Sequence, residues 1–248
     1  MSGRQRVDGQ MAYILHSYAF SESSLILDVF SRNYGRMPLL ARGARRPRSL
    51  LRGMLQAFQP LELGWFGAGE VRTLSRAEWL GGMPLLGGTA LMLGYYLNEL
   101  LLKLLAREDA HGVLFDAYAA TLRALSQAAG GSEAHAARLR LFEKTLLREL
   151  GYGLALEREA VTGEAVLPDQ NYHYLIESGP VKAGAVPAGD QSGNQAILGK
   201  TLLDLARDDY ADPRTLAESK SLMRMLINHH LAGQPLQSRR VFVELQEL

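Results

Sequence analysis

At 248 residues the chain can form one large domain or two to three small ones. Its hydrophobic fraction of 47%, charged fraction of 21% and net charge of +1 are ordinary for a globular protein with a real core. It contains no cysteine, which excludes disulfides, Cys-ligated zinc and a thiol nucleophile.

The N-terminus carries Arg4 and Arg6, but the apolar stretch after them is broken by Asp8, Gln10 and His16, so no signal peptide is expected. Met11 to Phe20 and Leu25 to Phe30 are short apolar segments that read as strands. Asn33-Tyr34-Gly35 then predicts a hairpin turn into Met37-Pro38-Leu39-Leu40. Phe58 to Phe66 alternates in part, and Gly67-Ala68-Gly69 turns into Val71 to Leu74. About five short strands with tight turns predict a small closed β-barrel over residues 1–80.

Charge is segregated within this region. Residues 1–80 hold eleven arginines, no lysine and six acids, while the remainder holds sixteen basic and twenty acidic residues. No acid lies between Asp28 and Glu62, yet the interval contains Arg32, Arg36, Arg42, Arg45, Arg46, Arg48 and Arg52. A positive field concentrated on a near-neutral chain points to a polyanion, and nucleic acid is the commonest. The guanidinium fork suits phosphate through bidentate hydrogen bonds. Gly43 and Pro47 mark a loop, and small Ala44 and Ser49 allow close backbone approach. Arg42, Arg45, Arg46 and Arg48 are the leading DNA-binding candidates, supported by Arg36, Arg52 and the turn aromatic Tyr34. Among Tyr13, Tyr18, Phe20, Tyr34 and Trp65, some are core and one or two are stacking platforms for bases. The competing reading is a solvated Arg-rich loop.

Gly81-Gly82-Met83-Pro84 and Gly87-Gly88 mark a boundary to a helical domain over 81–248. Thr89 to Arg107 is apolar nearly all round and predicts a central bundle helix. The apolar run within it, Leu91 to Leu105, is interrupted by Asn98, Glu99 and Lys103 and falls short of the roughly 20 residues of a membrane span, so no membrane contact and a cytoplasmic location are expected. Val113 to Ala128 is a second helix ended by Gly130-Gly131. A third runs from Ser132 to a stop at Gly151. Arg140, Lys144 and Arg148 form an i,i+4 stripe on it, read either as a second basic surface or as a solvated face. Residues 152–190 are irregular, with a candidate strand at Tyr172 to Ile176. Helices are predicted from Ala196 to Arg207, from Asp212 to near Gly233, and in the tail from Ser238.

Motifs for catalysis are weak. Gly193 to Thr201 resembles a P-loop, but five residues separate its glycines where four are required. That leaves an NTPase acting through Lys200 as a minor rival. His16, His111, His135, His173, His229 and His230 include no i,i+4 metal pair, and no serine sits in Gly-x-Ser-x-Gly. The residues suggest no enzyme, metal or cofactor.

The ordered set Ala12-Tyr13-Ile14-Leu15-His16-Ser17, Ser21-Glu22-Ser23-Ser24-Leu25, Gly35-Arg36, Ala41-Arg42-Gly43-Ala44-Arg45 and Leu55-Gln56-Ala57-Phe58-Gln59-Pro60-Leu61 resembles the bacterial RecO family of DNA repair proteins. Tyr95-Tyr96-Leu97-Asn98-Glu99-Leu100-Leu101, Leu150-Gly151-Tyr152-Gly153 and Pro235-Leu236-Gln237-Ser238-Arg239 resemble its later landmarks. The resemblance implies an α+β multidomain protein: an N-terminal five-stranded OB-fold barrel, then a helical bundle with a small irregular β insertion. It implies a recombination mediator without turnover that binds single- and double-stranded DNA and anneals complementary strands, including strands coated with the single-strand-binding protein SSB. The partners implied are RecR, the SSB C-terminal tail and, indirectly, RecA. The alternative is an OB-fold RNA-binding adaptor without an annealing role. Many relatives carry a four-cysteine zinc module after the Leu-Gly-Tyr motif. Here Glu157 to Gly163 occupies the region of its first pair, so zinc is not expected.

Overall fold

A computed structural model describes residues 6–127, 132–184 and 195–246. They divide into two compact units, Met1–Ala128 with Leu236–Leu248, and Ala129–Pro235.

The first unit is built on five strands, β1 (Arg6–Phe20), β2 (Ser24–Ser31), β3 (Gly35–Ala41), β4 (Leu61–Phe66) and β5 (Arg72–Trp79). They close into a barrel in the order β1-β2-β3-β5-β4, with β3 and β5 parallel. This is the five-stranded OB topology. Val7, Ala12, Ile14, Leu27, Val29, Met37, Leu39, Leu61, Leu63 and Trp65 fill its interior. The strands exceed their hydrophobic pattern at two places. β1 begins at Arg6 rather than Met11, because a register shift between Val7 and Gln10 keeps the polar start paired with β4. β5 runs to Trp79 because ladder pairing with β4, not burial, holds its polar half.

β1 is apolar on both faces for a structural reason. Ala12 and Ile14 point into the barrel, while Tyr13 packs outward on Phe115 and Tyr118 at 5.5 and 5.2 Å. These two rings belong to α3 (Gly112–Gln127), which lies beside α2 (Gly88–Leu104). The Asn98 amide of α2 donates to the Leu15 carbonyl at 2.8 Å and accepts from the Tyr118 hydroxyl at 2.5 Å. Both side chains are buried, and burial pushes the Tyr118 phenol pKa well up, so the hydroxyl stays a donor. The helices α2 and α3 therefore belong to the barrel's compact unit. Gly35 permits close approach at this junction. Its φ is +66°, and a Cβ there would lie 1.9 Å from the Asp109 carbonyl oxygen. A four-residue helix, α1 (Leu51–Met54), sits within the predicted arginine loop. The tail helix, α7 (Gln237–Gln246), packs on α2, with the Glu99 carboxylate accepting from the N–H groups of Gln237 and Ser238.

The second unit contains α4 (Ser132–Glu149), α5 (Gly199–Ala206), α6 (Pro213–His230) and a three-stranded sheet. The sheet has the order β7-β6-β8, where β6 is Asn171–Leu175, β7 Gly179–Lys182 and β8 Ile197–Leu198. Residues 197–198 were expected to be helical. They pair with β6 instead, so α5 starts at Gly199. Asp212 caps α6 as predicted, accepting from Arg214 N–H at 2.9 Å.

Where the zinc module would begin, a carboxylate organises the turn. The buried Glu159 accepts from the N–H of Val161 and from the N–H and hydroxyl of Thr162. The Thr162 N–H, then its hydroxyl, hold the Glu159 pKa below its ordinary value against the opposing effect of burial. A lowered pKa contributes stability at neutral pH that is lost as pH falls through the folded value. Glu159→Gln should therefore unfold at lower urea than wild type at neutral pH. The difference should shrink at an acid pH below the lowered folded value, where the wild-type carboxylate is protonated. Paired urea titrations at the two pH values check this.

Candidate nucleic-acid interface

Ten of the eleven N-terminal arginines fall in the described residues, and their guanidinium partners sort them into three sets. Arg6 pairs with Asp8, and Arg76 with Glu78, each two residues along its own strand. Arg32, Arg36 and Arg72 bind the barrel to its helices. Arg32 makes a bidentate pair with Asp116 of α3 at 2.9 and 2.8 Å, and its hydrogen bond holds the Asp116 pKa below the usual carboxylate range. Arg72 reaches Glu108 at 3.0 Å. Arg36 grips Asp28 bidentately at 3.0 and 2.9 Å, and its Nη1 donates to the Leu102 carbonyl at 2.5 Å and the Leu105 carbonyl at 3.3 Å. It thus neutralises a buried carboxylate and satisfies the carbonyl end of α2 at once. It is a structural cation, not a free phosphate ligand.

The third set is Arg42, Arg45, Arg46, Arg48 and Arg52. All five are exposed, and none has a carboxylate partner among the described residues. They occupy the connection from β3 to β4, and the local sequence explains how it holds its shape. Gly43 adopts φ +69°, Ala44 drops into the barrel core, and hydrogen bonds follow from Arg46 N–H to Gly43 O and from Ser49 N–H to Arg46 O. Three bonds tie the segment to the β1–β2 turn. Arg45 N–H donates to Ser23 O at 2.9 Å, Arg45 Nη1 to Ser21 O at 3.0 Å, and Gly43 N–H to Ser24 Oγ at 3.4 Å. Side-chain charge and turn backbone therefore share one end of the barrel.

An open sheet face adjoins this end. A register shift between Ile14 and His16 places His16 opposite Asp28, and alternation then turns His16, Tyr18 and Phe20 outward. Tyr18 pairs with Ile26, which pairs with Leu40, forming one outward row across three strands. Tyr18 and Phe20 are 49% and 48% exposed, and His16 stacks edge-on against Tyr18 at 4.4 Å. The other half of the same outer face, around Phe30 and Arg36, is covered by α2 and α3.

The remaining candidates are placed differently. Tyr34 packs edge-on against Trp65 at 5.2 Å and is partly buried on the barrel core, so part of its ring serves the fold. Of the five aromatics considered on the barrel, Tyr18 and Phe20 are the exposed ones. The stripe on α4 is not one surface. Arg140 is buried against Glu143 at 2.9 Å, and Lys144 bonds the Leu205 and Ala206 carbonyls at the end of α5 and pairs with Asp208. Arg148 alone of the three is well exposed. Of the P-loop-like segment, Gly193 and Asn194 lie outside the described residues, and Lys200 is paired with Asp204 and Asp212. Among the described residues no group of three or more acids and histidines is placed to hold a metal, and no helix is long and apolar enough to cross a membrane.

The strand order and the helices joined to it define an OB-fold protein with a helical extension. Its sequence matches two family models, recombination protein O N terminal over residues 9–83 and recombination protein O C terminal over residues 87–240. The chain belongs to the RecO family. It is 57% identical to the DNA repair protein RecO of Aromatoleum aromaticum and 56% identical to that of Dechloromonas aromatica, over the full length of both chains in each case. It is 53% identical to the corresponding protein of an Azoarcus species, again over both full lengths.

Removing one member of a buried ion pair typically costs about 3–5 kcal/mol because the other charge is stranded. Arg36→Ala should lower unfolding stability by about 3 kcal/mol. Arg46→Ala, on the exposed segment, should change it by less than about 0.5 kcal/mol. Chemical denaturation of both variants checks the assignment.

Proposed function

We propose that this chain is a DNA-repair recombination mediator whose barrel binds DNA through the 42–52 segment and the open β1–β3 face. The observation that carries the reading is the set of five exposed arginines without carboxylate partners, held against the β1–β2 turn beside Tyr18 and Phe20. Unpaired guanidinium groups release counterions from phosphates on contact, giving affinity that falls with salt and ignores sequence. Arg45 and Arg46 sit on a segment braced by backbone hydrogen bonds, so little order is lost on binding. Single strands gain further from stacking on Tyr18 and Phe20. Duplexes use the phosphate contacts alone, so both forms bind.

Annealing follows from the same charge. Two complementary strands repel each other, and a shared cationic segment screens both while leaving bases free to pair. No group in the site performs covalent chemistry, and the protein acts without nucleotide, metal or cofactor. Family membership supports cooperation with RecR and SSB, including the acidic SSB tail, to help load RecA in the cytoplasm. Arg36 and Tyr34 serve the fold in this scheme, and Arg140 and Lys144 brace the second unit.

The test is annealing of complementary oligonucleotides, bare and coated with SSB, at low and moderate salt without nucleotide. Acceleration that persists on the coated strands and weakens with salt is expected. Intact DNA binding without any acceleration would contradict the mediator reading.

A further inference from the structure

The cleft beside the C-terminal part of the arginine segment is lined by neither Tyr18 nor Phe20, and the DNA-binding reading does not use it. Residues of α1 and of the 80–87 connection enclose a cleft of about 580 Å³ lined by Leu50, Met54, Gln59, Trp79, Met83 and Leu85. That volume lies within the roughly 300–1,000 Å³ of small-ligand sites. Its walls expose unusual apolar area for a solvated surface, with Leu50 86%, Leu85 72% and Trp79 59% exposed.

The cleft is built, not incidental. Trp79 ends β5, and its indole N–H donates to Gln59 Oε1 at 3.2 Å, which fixes the ring while leaving much of it in solvent. Gln59 itself is 4% exposed, and its amide nitrogen has no partner among the described residues. A buried amide donor without an acceptor is costly in a site that is otherwise apolar. A ligand that presents a flat aromatic surface covers the exposed face of the indole, whose edge Gln59 already holds. Every nucleobase has that chemistry. Arg48 and Arg52 flank the lining residues Leu50 and Gly53 in the chain, are exposed and have no carboxylate partner among the described residues, so cations suited to the phosphates of such a ligand adjoin the cleft's wall.

We propose that this cleft seats one unstacked base of a single strand, against the exposed face of Trp79, as the strand leaves the arginine segment. The inference rests on the DNA-binding reading above and adds a preference to it. A base in the cleft must be out of its helix, so the cleft favours single strands and releases a strand once it has paired.

Tryptophan emission tests this in the full-length protein. The chain has two tryptophans, and Trp65 is buried in the barrel core, so a ligand-dependent change reports Trp79. A single-stranded thymidine oligomer should quench wild-type emission. Trp79→Leu should lower single-strand affinity roughly tenfold, the loss typical of one stacked base, and leave duplex affinity unchanged. Unquenched emission on a bound single strand, or a folded Trp79→Leu variant with wild-type single-strand affinity, overturns the proposal. So does quenching by an acidic apolar peptide but not by the oligomer, which would make the occupant a protein segment. If wild type binds the oligomer and Arg42→Ala/Arg45→Ala/Arg46→Ala/Arg48→Ala does not, while Trp79→Leu is normal, only the cleft assignment falls. If wild type binds no DNA, the underlying reading falls with it.

Discussion

The bidentate pair between Arg36 and Asp28 is the contact on which the first unit's arrangement depends. It joins β2 to β3, and the same guanidinium closes the carbonyl end of α2. A carboxylate buried on the outside of a barrel would otherwise be stranded, and a helix terminus would face the barrel with unmet acceptors. One side chain resolves both. With α2 fixed there, Asn98 reaches the Leu15 carbonyl, and α3 brings Phe115 and Tyr118 onto Tyr13 and Phe30.

This arrangement decides which part of the barrel remains open. OB-fold barrels commonly meet ligands on the face of strands 2 and 3 and nearby loops. Here the half of that face around Phe30 and Arg36 is used for packing helices. The half around Tyr18, Ile26 and Leu40 stays exposed or half-buried, and the 42–52 segment borders it. The barrel thus separates two uses of arginine. Arg32, Arg36 and Arg72 are balanced by Asp116, Asp28 and Glu108. Arg42, Arg45, Arg46, Arg48 and Arg52 retain their charge for a partner outside the chain.

Much of this was legible in the sequence. Strand turnover in the first 80 residues, the glycine turns and the basic segment give the barrel and its charged loop directly. The separation of structural from free arginines was not legible, because it depends on acids far away in the chain. Arg32 and Asp116 are 84 residues apart, and Asp28 lies just outside the acid-free interval and meets Arg36 diagonally across the ladder only once the hairpin forms. Lys144 misled in the same way, since an i,i+4 stripe gives no hint that one member caps the end of α5. Tyr34 looked free because turns usually are, yet its ring covers the core beside Trp65. Tyr18 and Phe20 read as strand residues, and they stay exposed because α2 and α3 cover only the other half of the same outer face.

The central claim is that arginines 42–48, not the paired ones, carry the charge that meets phosphate. The salt dependence of single-strand affinity measures this directly. Each phosphate contact on a single strand contributes about 0.7 to the slope of log K against log salt. Replacing Arg42, Arg45, Arg46 and Arg48 together by alanine should reduce that slope by about 2.8 if all four meet phosphates, with the fold retained. An unchanged slope in the folded variant would contradict the account.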